Sequence, residues 1–526
     1  MRQSTVISVL SAVAGVVQGA AVTRRAAIAC SDIPAPAVPG AEIISITAAE
    51  QFDVSGPFVN ETIGSIGLLE GINICAVDIV LTHPGLDDRI GFSIWLPLEG
   101  WNNRFLATGG GGFQSGYPGT IGLGLPVTQG FAAGMTDAGN LTDPSGVPLE
   151  DIIVGPGQLD TARLASFSFS SLHELAIIGK AVTNSYYGTK SFHSYFSGCS
   201  TGGRQGYTVA QEYPTDFDGI LAVAPGLYFT DLLTSLGLAQ LVERGLGHDL
   251  PDCVAAAFTQ KAVSRCDGLD GVIDGIVSNF DACELDSFSL VGEQVPCGNE
   301  TATITAADAE IVDAILTGVR SSTGNLIYPG VILGSNYASL TSTVINVWNF
   351  WNRLIIRRDP DYDLSEYTTI EQLIENIATV RAELSGFIAA DSPNLGPLRD
   401  SGTKLLTWHG LADEVVTARA TIRYRQTVEA VLGGNERVNE FYRVFLAPGV
   451  GHCYGGTGAY PADALDALID WVENGEAPET LNGRTANGEE RILCPYPLVA
   501  RFDGEGDPDV AESYSCAEDF APPVKC

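Results

Sequence analysis

One serine in this 526-residue chain sits where a serine can become a nucleophile. Gly198-Cys199-Ser200-Thr201-Gly202 fits G-x-S-x-G, between a short apolar run, Ser194–Ser197, and a helix-length stretch, Thr201–Tyr213. That is the strand–turn–helix setting of a nucleophile elbow. The turn is too tight for large neighbours, which accounts for the flanking glycines. It puts Ser200 Oγ at a helix N-terminus and aims the Thr201 N–H at a developing oxyanion. A glycine-rich turn without chemistry would carry the same letters, so the base and the acid decide.

Six histidines are available: His83, His173, His193, His248, His409 and His452. In a hydrolase with this elbow the chain order is serine, acid, histidine. Only His409 and His452 follow Ser200 in a regular strand–helix pattern. His452 lies in a loop after a strand, Ala447-Pro-Gly-Val-Gly-His-Cys453, where a catalytic base belongs. His409 ends another strand and is expected to pack beneath the turn that follows. Asp413 in that turn is the expected acid, with Glu414 the alternative; it would fix the His452 tautomer and stabilise the imidazolium. The second oxyanion donor is expected in the glycine loop Gly109–Gly112, at Gly111. Read as a dinucleotide loop, those glycines lack the following helix and acidic residue.

Cys199 and Cys453 adjoin the nucleophile and the base. If Ser200 and His452 share a hydrogen bond, the two sulfurs come within bridging reach. The bridge closes 453 − 199 = 254 residues, worth about 5 kcal/mol in the chain-entropy model. A thiol mechanism at Cys199 is the competing reading, and the serine in the elbow position argues against it. Farther along, Asp267, Asp270 and Asp274 lie within eight residues, separated by glycines. Three carboxylates with intervening carbonyls make hard oxygen ligands for calcium, though the closing glutamate of an EF-hand is missing. A solvated Asp-Gly turn is the alternative.

The elements that must position these groups alternate. Gly91–Pro97, Arg104–Thr108, Ser194–Ser197 and Gly219–Ala224 read as strands; Ser166–Tyr187 and Thr201–Tyr213 read as helices. The alternation predicts an α/β fold with a parallel sheet. From Gly226 to about Leu398 the rhythm stops, and the chain reads as irregular, with an aromatic stretch at Val347–Trp351. Strands return at Lys404–Trp408 and Phe441–Leu446, and a helix at Ala462–Asn474. The expected organisation is one α/β domain, residues 26–227 and 399–526, interrupted by an inserted lid at 228–398.

Lys and Arg number 28 and Asp and Glu 63, a net charge of −35. Such a polyanion repels phosphate backbones and anionic lipid headgroups, so neither nucleic acid nor a membrane is an expected partner. Residues 1–20, with the apolar run Val6–Val17 and small residues after it, read as a secretory signal peptide. Residues 21–25, ending in Arg24-Arg25, are a propeptide candidate. Secretion makes the 11 cysteines disulfide candidates with one left over. Asn60, Asn140 and Asn299 head N-x-T acceptors and are expected to carry glycans.

Together these segments resemble the tannase and feruloyl esterase family of secreted α/β-hydrolases. The likeness runs through Trp101–Arg104 with its four-glycine loop, Gly198–Gly206, Asp267–Ile276, His409–Asp413 and Gly451–Cys453. It implies an α/β-hydrolase fold with a large lid and a Ser200–Asp413–His452 triad beside a Cys199–Cys453 disulfide. It also implies lid calcium on Asp267, Asp270 and Asp274 with the carbonyls of Val272 and Ile276. Further implied disulfides are Cys30–Cys75, Cys266–Cys283 and Cys494–Cys516; Cys253, Cys297 and Cys526 have no implied partner. Family members often carry histidine where this chain has Asn140. The implied activity is hydrolysis of phenolic acid esters, with feruloyl or other hydroxycinnamoyl esters of plant cell-wall polysaccharide ranked above the galloyl esters of a tannase. Thr201 and Gln205 favour that ranking. A secreted phenolic- or glycan-binding protein without catalysis is the reading from a different class.

Overall fold

The computed structural model describes residues 26–60, 65–139, 152–342 and 345–521. The signal and propeptide segments, Asn140 and Cys526 lie outside them. Nine strands form one sheet: β1 (Glu42–Asn60), β2 (Ser65–Thr82), β3 (Ile90–Pro97), β4 (Arg104–Thr108), β5 (Ala132–Thr136), β6 (His193–Cys199), β7 (Gly219–Val223), β8 (Lys404–Gly410) and β9 (Tyr442–Ala447). Their spatial order is β1-β2-β3-β5-β4-β6-β7-β8-β9. The pairs from β5 through β4 to β9 are all parallel. β1, β2 and β3 run antiparallel to their neighbours. β5 and β7 are buried at every position, as a parallel strand covered on both faces must be.

Two helices carry the nucleophile side. α1 (Ser171–Tyr187) was expected to begin at Ser166; instead the helical run starts at Thr161 and passes through a π-type turn at Ser166–Ser170. Asp160 sets that start, accepting a hydrogen bond from the Arg163 N–H, an ordinary N-cap. α2 (Thr201–Glu212) begins at the residue after Ser200.

The segment between β7 and β8 adds no strand to the large sheet among the described residues, and it is not irregular. It holds α3 (Phe229–Ser235), α4 (Leu238–Leu246), α5 (Asp252–Cys266), α6 (Ala306–Thr317) and the 19-residue α7 (Ile370–Ile388). α6 and α7 each open on a capping box, Thr305 with Asp308 and Thr369 with Gln372. Both signatures stand in the sequence; the abundance of Asp, Gly and Ser between the helices hides them. The aromatic stretch is helical too. Trp348 and Trp351 are fully buried, and Trp351 Nε1 donates to Thr234 Oγ1 at 2.9 Å.

Five disulfides form among the described residues. Cys30–Cys75, Cys199–Cys453, Cys266–Cys283 and Cys494–Cys516 pair as implied. Cys253 also bonds Cys297 and ties α5 to a short hairpin. Asn299 is exposed in the turn of that hairpin. Among the described residues no helix is long and apolar enough to cross a membrane.

Candidate active site

Ser200 sits at the end of β6 with φ 61° and ψ −117°, a left-handed conformation costly for a residue with a Cβ. Several contacts hold it there. Its N–H donates to Val223 O and its carbonyl accepts from Arg204 N and Gly226 N. The glycines around it leave no room for side chains. A Cβ on Gly198 would come within 2.7 Å of the Gly202 Cα, and one on Gly203 within 2.3 Å of Val223 O.

His452 Nε2 lies 2.9 Å from Ser200 Oγ, and His452 Nδ1 lies 2.9 Å from Asp413 Oδ2. A carboxylate only accepts, so Nδ1 carries the proton and Nε2 is left to accept from the serine hydroxyl. Asp413 is fully buried. Its Oδ1 takes the backbone N–H groups of Val415 and Val416, at 2.9 and 2.7 Å. Burial alone would raise its carboxyl; the His452 charge and the donors from His409 and His452 outweigh burial and hold it well below the usual carboxylate range. His409 is also buried, as expected of a residue beneath the turn. Its Nε2 donates to Asp413 Oδ2 at 3.0 Å and to Val416 O at 2.7 Å. Two histidines therefore share one carboxylate oxygen. The sequence reading placed His409 near the turn and missed this shared contact. Glu414, the alternative acid, meets the backbone and not the ring: Oε2 accepts from the His452 N–H at 3.4 Å. Its carboxyl is raised by burial and then by the Asp413 charge.

The glycine loop is locked onto the elbow. Gly202 N donates to Gly110 O at 2.8 Å, and Thr201 Oγ1 donates to Gly112 O at 2.6 Å. Gln205, fully buried, accepts from Gly110 N at 3.2 Å and donates to Ser115 O at 3.0 Å. This bridging amide was not singled out for that role from sequence. Thr201 opens α2, so its N–H has no intrahelical partner. Neither it nor the Gly111 N–H meets an acceptor among the described residues. Arg204, one turn along α2, is fully buried between the rings of Phe167 and Phe229, 4.8 Å from each centroid. Among the described residues it faces no carboxylate, and burial lowers its guanidinium to about 9.

The acidic loop abuts the histidine loop, Gly275 and Ile276 lining one cavity with Gly449 and Gly451. Asp267 Oδ1 accepts from the N–H groups of Asp274 and Gly275, Asp270 Oδ1 from Val272 N and Asp274 Oδ1 from Ile276 N. Burial and then the Asp270 charge push the Asp274 carboxyl up to about 6, against the nearby Arg491 at 3.6 Å. Burial raises Asp270 as well, and Asp267 adds to it. The donors suit a hard divalent cation: three carboxylates in Coulombic range, with one arginine at their edge. A ready-made cluster of three or more acidic, His or Cys ligands is not present among the described residues.

A strained serine at a strand–helix turn, lined up with a histidine and a buried aspartate behind a parallel sheet, defines an α/β-hydrolase-type protein. The chain belongs to the tannase and feruloyl esterase family, whose model matches residues 75–517. It is 40% identical over 518 residues to a probable feruloyl esterase of Arthroderma benhamiae, covering 93% of this chain and 94% of that protein. It is 32% identical over 454 residues to feruloyl esterase B of Aspergillus niger, covering 80% and 82%. The solved tannin acyl hydrolase of Aspergillus niger superposes with a TM-score of 0.81 at 27% identity, covering 92% of each chain.

Proposed function

We propose that this chain is a secreted serine carboxylesterase hydrolysing phenolic acid esters, with hydroxycinnamoyl esters of plant cell-wall polysaccharide as its main substrates. The observation that carries the reading is the continuous hydrogen-bonded line Ser200–His452–Asp413 on a strained elbow. Ser200 Oγ attacks the ester carbonyl while His452 Nε2 takes its proton. The oxyanion is held by the N–H groups of Thr201 and Gly111. His452 then gives the proton to the leaving alcohol, and an acyl-serine remains. Water, deprotonated by His452, releases the acid. Asp413 stays ionised throughout. Behind the glycine loop Phe113 stacks at 6.5 Å on Trp351, which meets Phe229 edge-on at 6.0 Å, a buried cluster that ties residues 228–398 to the loop.

Residues 228–398 act as the lid over this site, and Asp267, Asp270, Asp274 and the carbonyls of Val272 and Ile276 would hold a structural calcium. Calcium would supply charge balance that stiffens this loop, and the chemistry at Ser200 is carried by side chains. Galloyl ester hydrolysis is the second reading, favoured by the likeness to the tannin acyl hydrolase. Ser200→Ala should lower kcat on methyl ferulate by about 10⁴-fold or more. Near-wild-type hydrolysis by that variant, or no labelling of the native chain by a serine-directed phosphonate, refutes the mechanism. A strong preference for methyl gallate over methyl ferulate reverses the substrate order.

A further inference from the structure

We propose that His409 is a positioning residue of the triad: it donates to the carboxylate oxygen that His452 uses, so that less of the Asp413 charge reaches the base, and Thr421 holds it in the tautomer that does so. The proposal rests on the esterase reading above and adds two residues to its machinery. His409 stands near the end of β8, with Nε2 3.0 Å from Asp413 Oδ2; His452, in the loop after β9, has Nδ1 2.9 Å from the same atom. The other carboxylate oxygen is taken by the N–H groups of Val415 and Val416. Both rings are therefore confined to one oxygen.

The tautomer of His409 follows from its partners. Nε2 faces two acceptors, Asp413 Oδ2 and Val416 O, and so carries the proton. Nδ1 lies 2.8 Å from Thr421 Oγ1, on α8 (Ala418–Leu432). Among the described residues that hydroxyl meets no other acceptor, so its proton goes to Nδ1 and the ring is held neutral. His409, Asp413 and Thr421 are all buried. One buried carboxylate balances one imidazolium, and a neutral His409 reserves that balance for His452 when it takes the serine proton. A donor on Oδ2 also weakens that oxygen as an acceptor. The His452 imidazolium is then less favoured before substrate binds, and His452 remains a base to lower pH. Glu414 and, from the lid, the Tyr328 phenol lie in Coulombic range of Asp413 without bonding it. Burial drives the phenol to stay neutral and raises the Glu414 carboxyl, so Glu414 has to be separated in the test.

The measurement is the acid limb of kcat/KM on methyl ferulate against pH, which reports the base of the free enzyme. His409→Leu removes the donor and should move the limb up by about 0.5–1 pH unit. His409→Gln, which returns an N–H toward the same oxygen, should bring it back toward the native position. Thr421→Val, close in volume, should move the limb the same way by less, and Thr421→Ser should leave it in place. The shifts should persist in a Glu414→Gln background. A limb unmoved or moved down in both His409→Leu and Thr421→Val, whatever the loss in kcat, means that His409 only packs and overturns the proposal; so does a shift that vanishes with Glu414→Gln. If His409→Leu fails to fold, Thr421→Val decides alone. Absence of hydrolysis by the native chain is a different result and sinks the esterase reading itself.

Discussion

Removing the Cys199–Cys453 bridge should damage stability and catalysis through different states of the chain, and the two losses can be read separately. The bridge spans 254 residues. In the chain-entropy model the closed loop costs the unfolded chain about 18.6 cal/mol/K, or about 5.5 kcal/mol at 25 °C. The Cys253–Cys297 bridge nested inside shortens the effective loop by 44 residues; the dependence is logarithmic, so this changes the value by less than about 0.2 kcal/mol. For a chain of this size the unfolding entropy is roughly 1 kcal/mol/K, which makes the ceiling a fall of about 5 °C in Tm. The catalytic loss arises in the native state. The bridge adjoins both Ser200 and His452, and a shift of about 1 Å between them is worth up to about 100-fold in rate. The assay is a Cys199→Ser/Cys453→Ser double variant, followed by calorimetry and by kcat on methyl ferulate below the transition. Tm should fall by a few degrees and kcat by tenfold or more. An unchanged Tm together with an unchanged kcat refutes the argument. An unchanged kcat alone would mean that the sheet positions the histidine loop without the bridge.

Gly109→Ala should lower kcat by about 10²–10³-fold, because its Cβ would meet the backbone of Gly202 at 2.6 Å and push the oxyanion loop off α2; Gly111→Ala, which meets only the Tyr117 hydroxyl at 2.2 Å, should cost less. His83 bridges Asp88 and Glu174 at 2.6 and 2.7 Å. Burial opposes its charge, yet the two carboxylates outweigh burial and raise it. The raised value makes this contact fully stabilising below the unfolded histidine value, near 6.5, with the benefit lost as pH climbs through the folded one; chemical denaturation between pH 5.5 and 8.5 should show that slope, and His83→Gln should flatten it. Chelation should lower Tm while kcat holds as long as the fold persists, and added calcium should restore Tm; no change in Tm with chelator, and no calcium by elemental analysis, leaves the acidic loop as a turn.

The catalytic residues were legible because each lies in a short segment whose neighbours declare its backbone. Glycines on both sides of Ser200 mark a turn that admits little else, and His452 follows a strand in a glycine-rich loop. Parallel strands β4, β6, β7, β8 and β9 were legible for a similar reason: burial on both faces leaves continuous apolar runs such as Gly219–Val223; β5 was missed, its Ala132-Ala-Gly-Met-Thr136 giving no run of large apolar residues. The antiparallel hairpin of β1 and β2 was not legible, because it is half exposed. Phe52, Ile66 and Leu68 all face solvent, at 63%, 71% and 66%, so alternation does not track burial there. The helices between β7 and β8 were read as irregular although two announce themselves with capping boxes. The Cys253–Cys297 pair and the shared carboxylate of His409 and His452 depend on tertiary placement, which spacing does not encode.

The close fit between the glycine loop and the elbow has a consequence for how such a protein can change. Gly109, Gly110, Gly198, Gly202 and Gly203 approach one another or neighbouring backbone so closely that a methyl group on any of them would collide with main-chain atoms within 3 Å. Main chain cannot be trimmed by a second substitution, so compensation within this core is blocked. Heritable variation in substrate preference must therefore accumulate elsewhere, in segments whose side chains reach the serine from outside. The stretch between β7 and β8 is such a segment: helices and loops joined to the sheet at two points, free to exchange side chains without moving the nucleophile. A library meant to retune acyl or alcohol preference should hold these five glycines constant and sample that stretch.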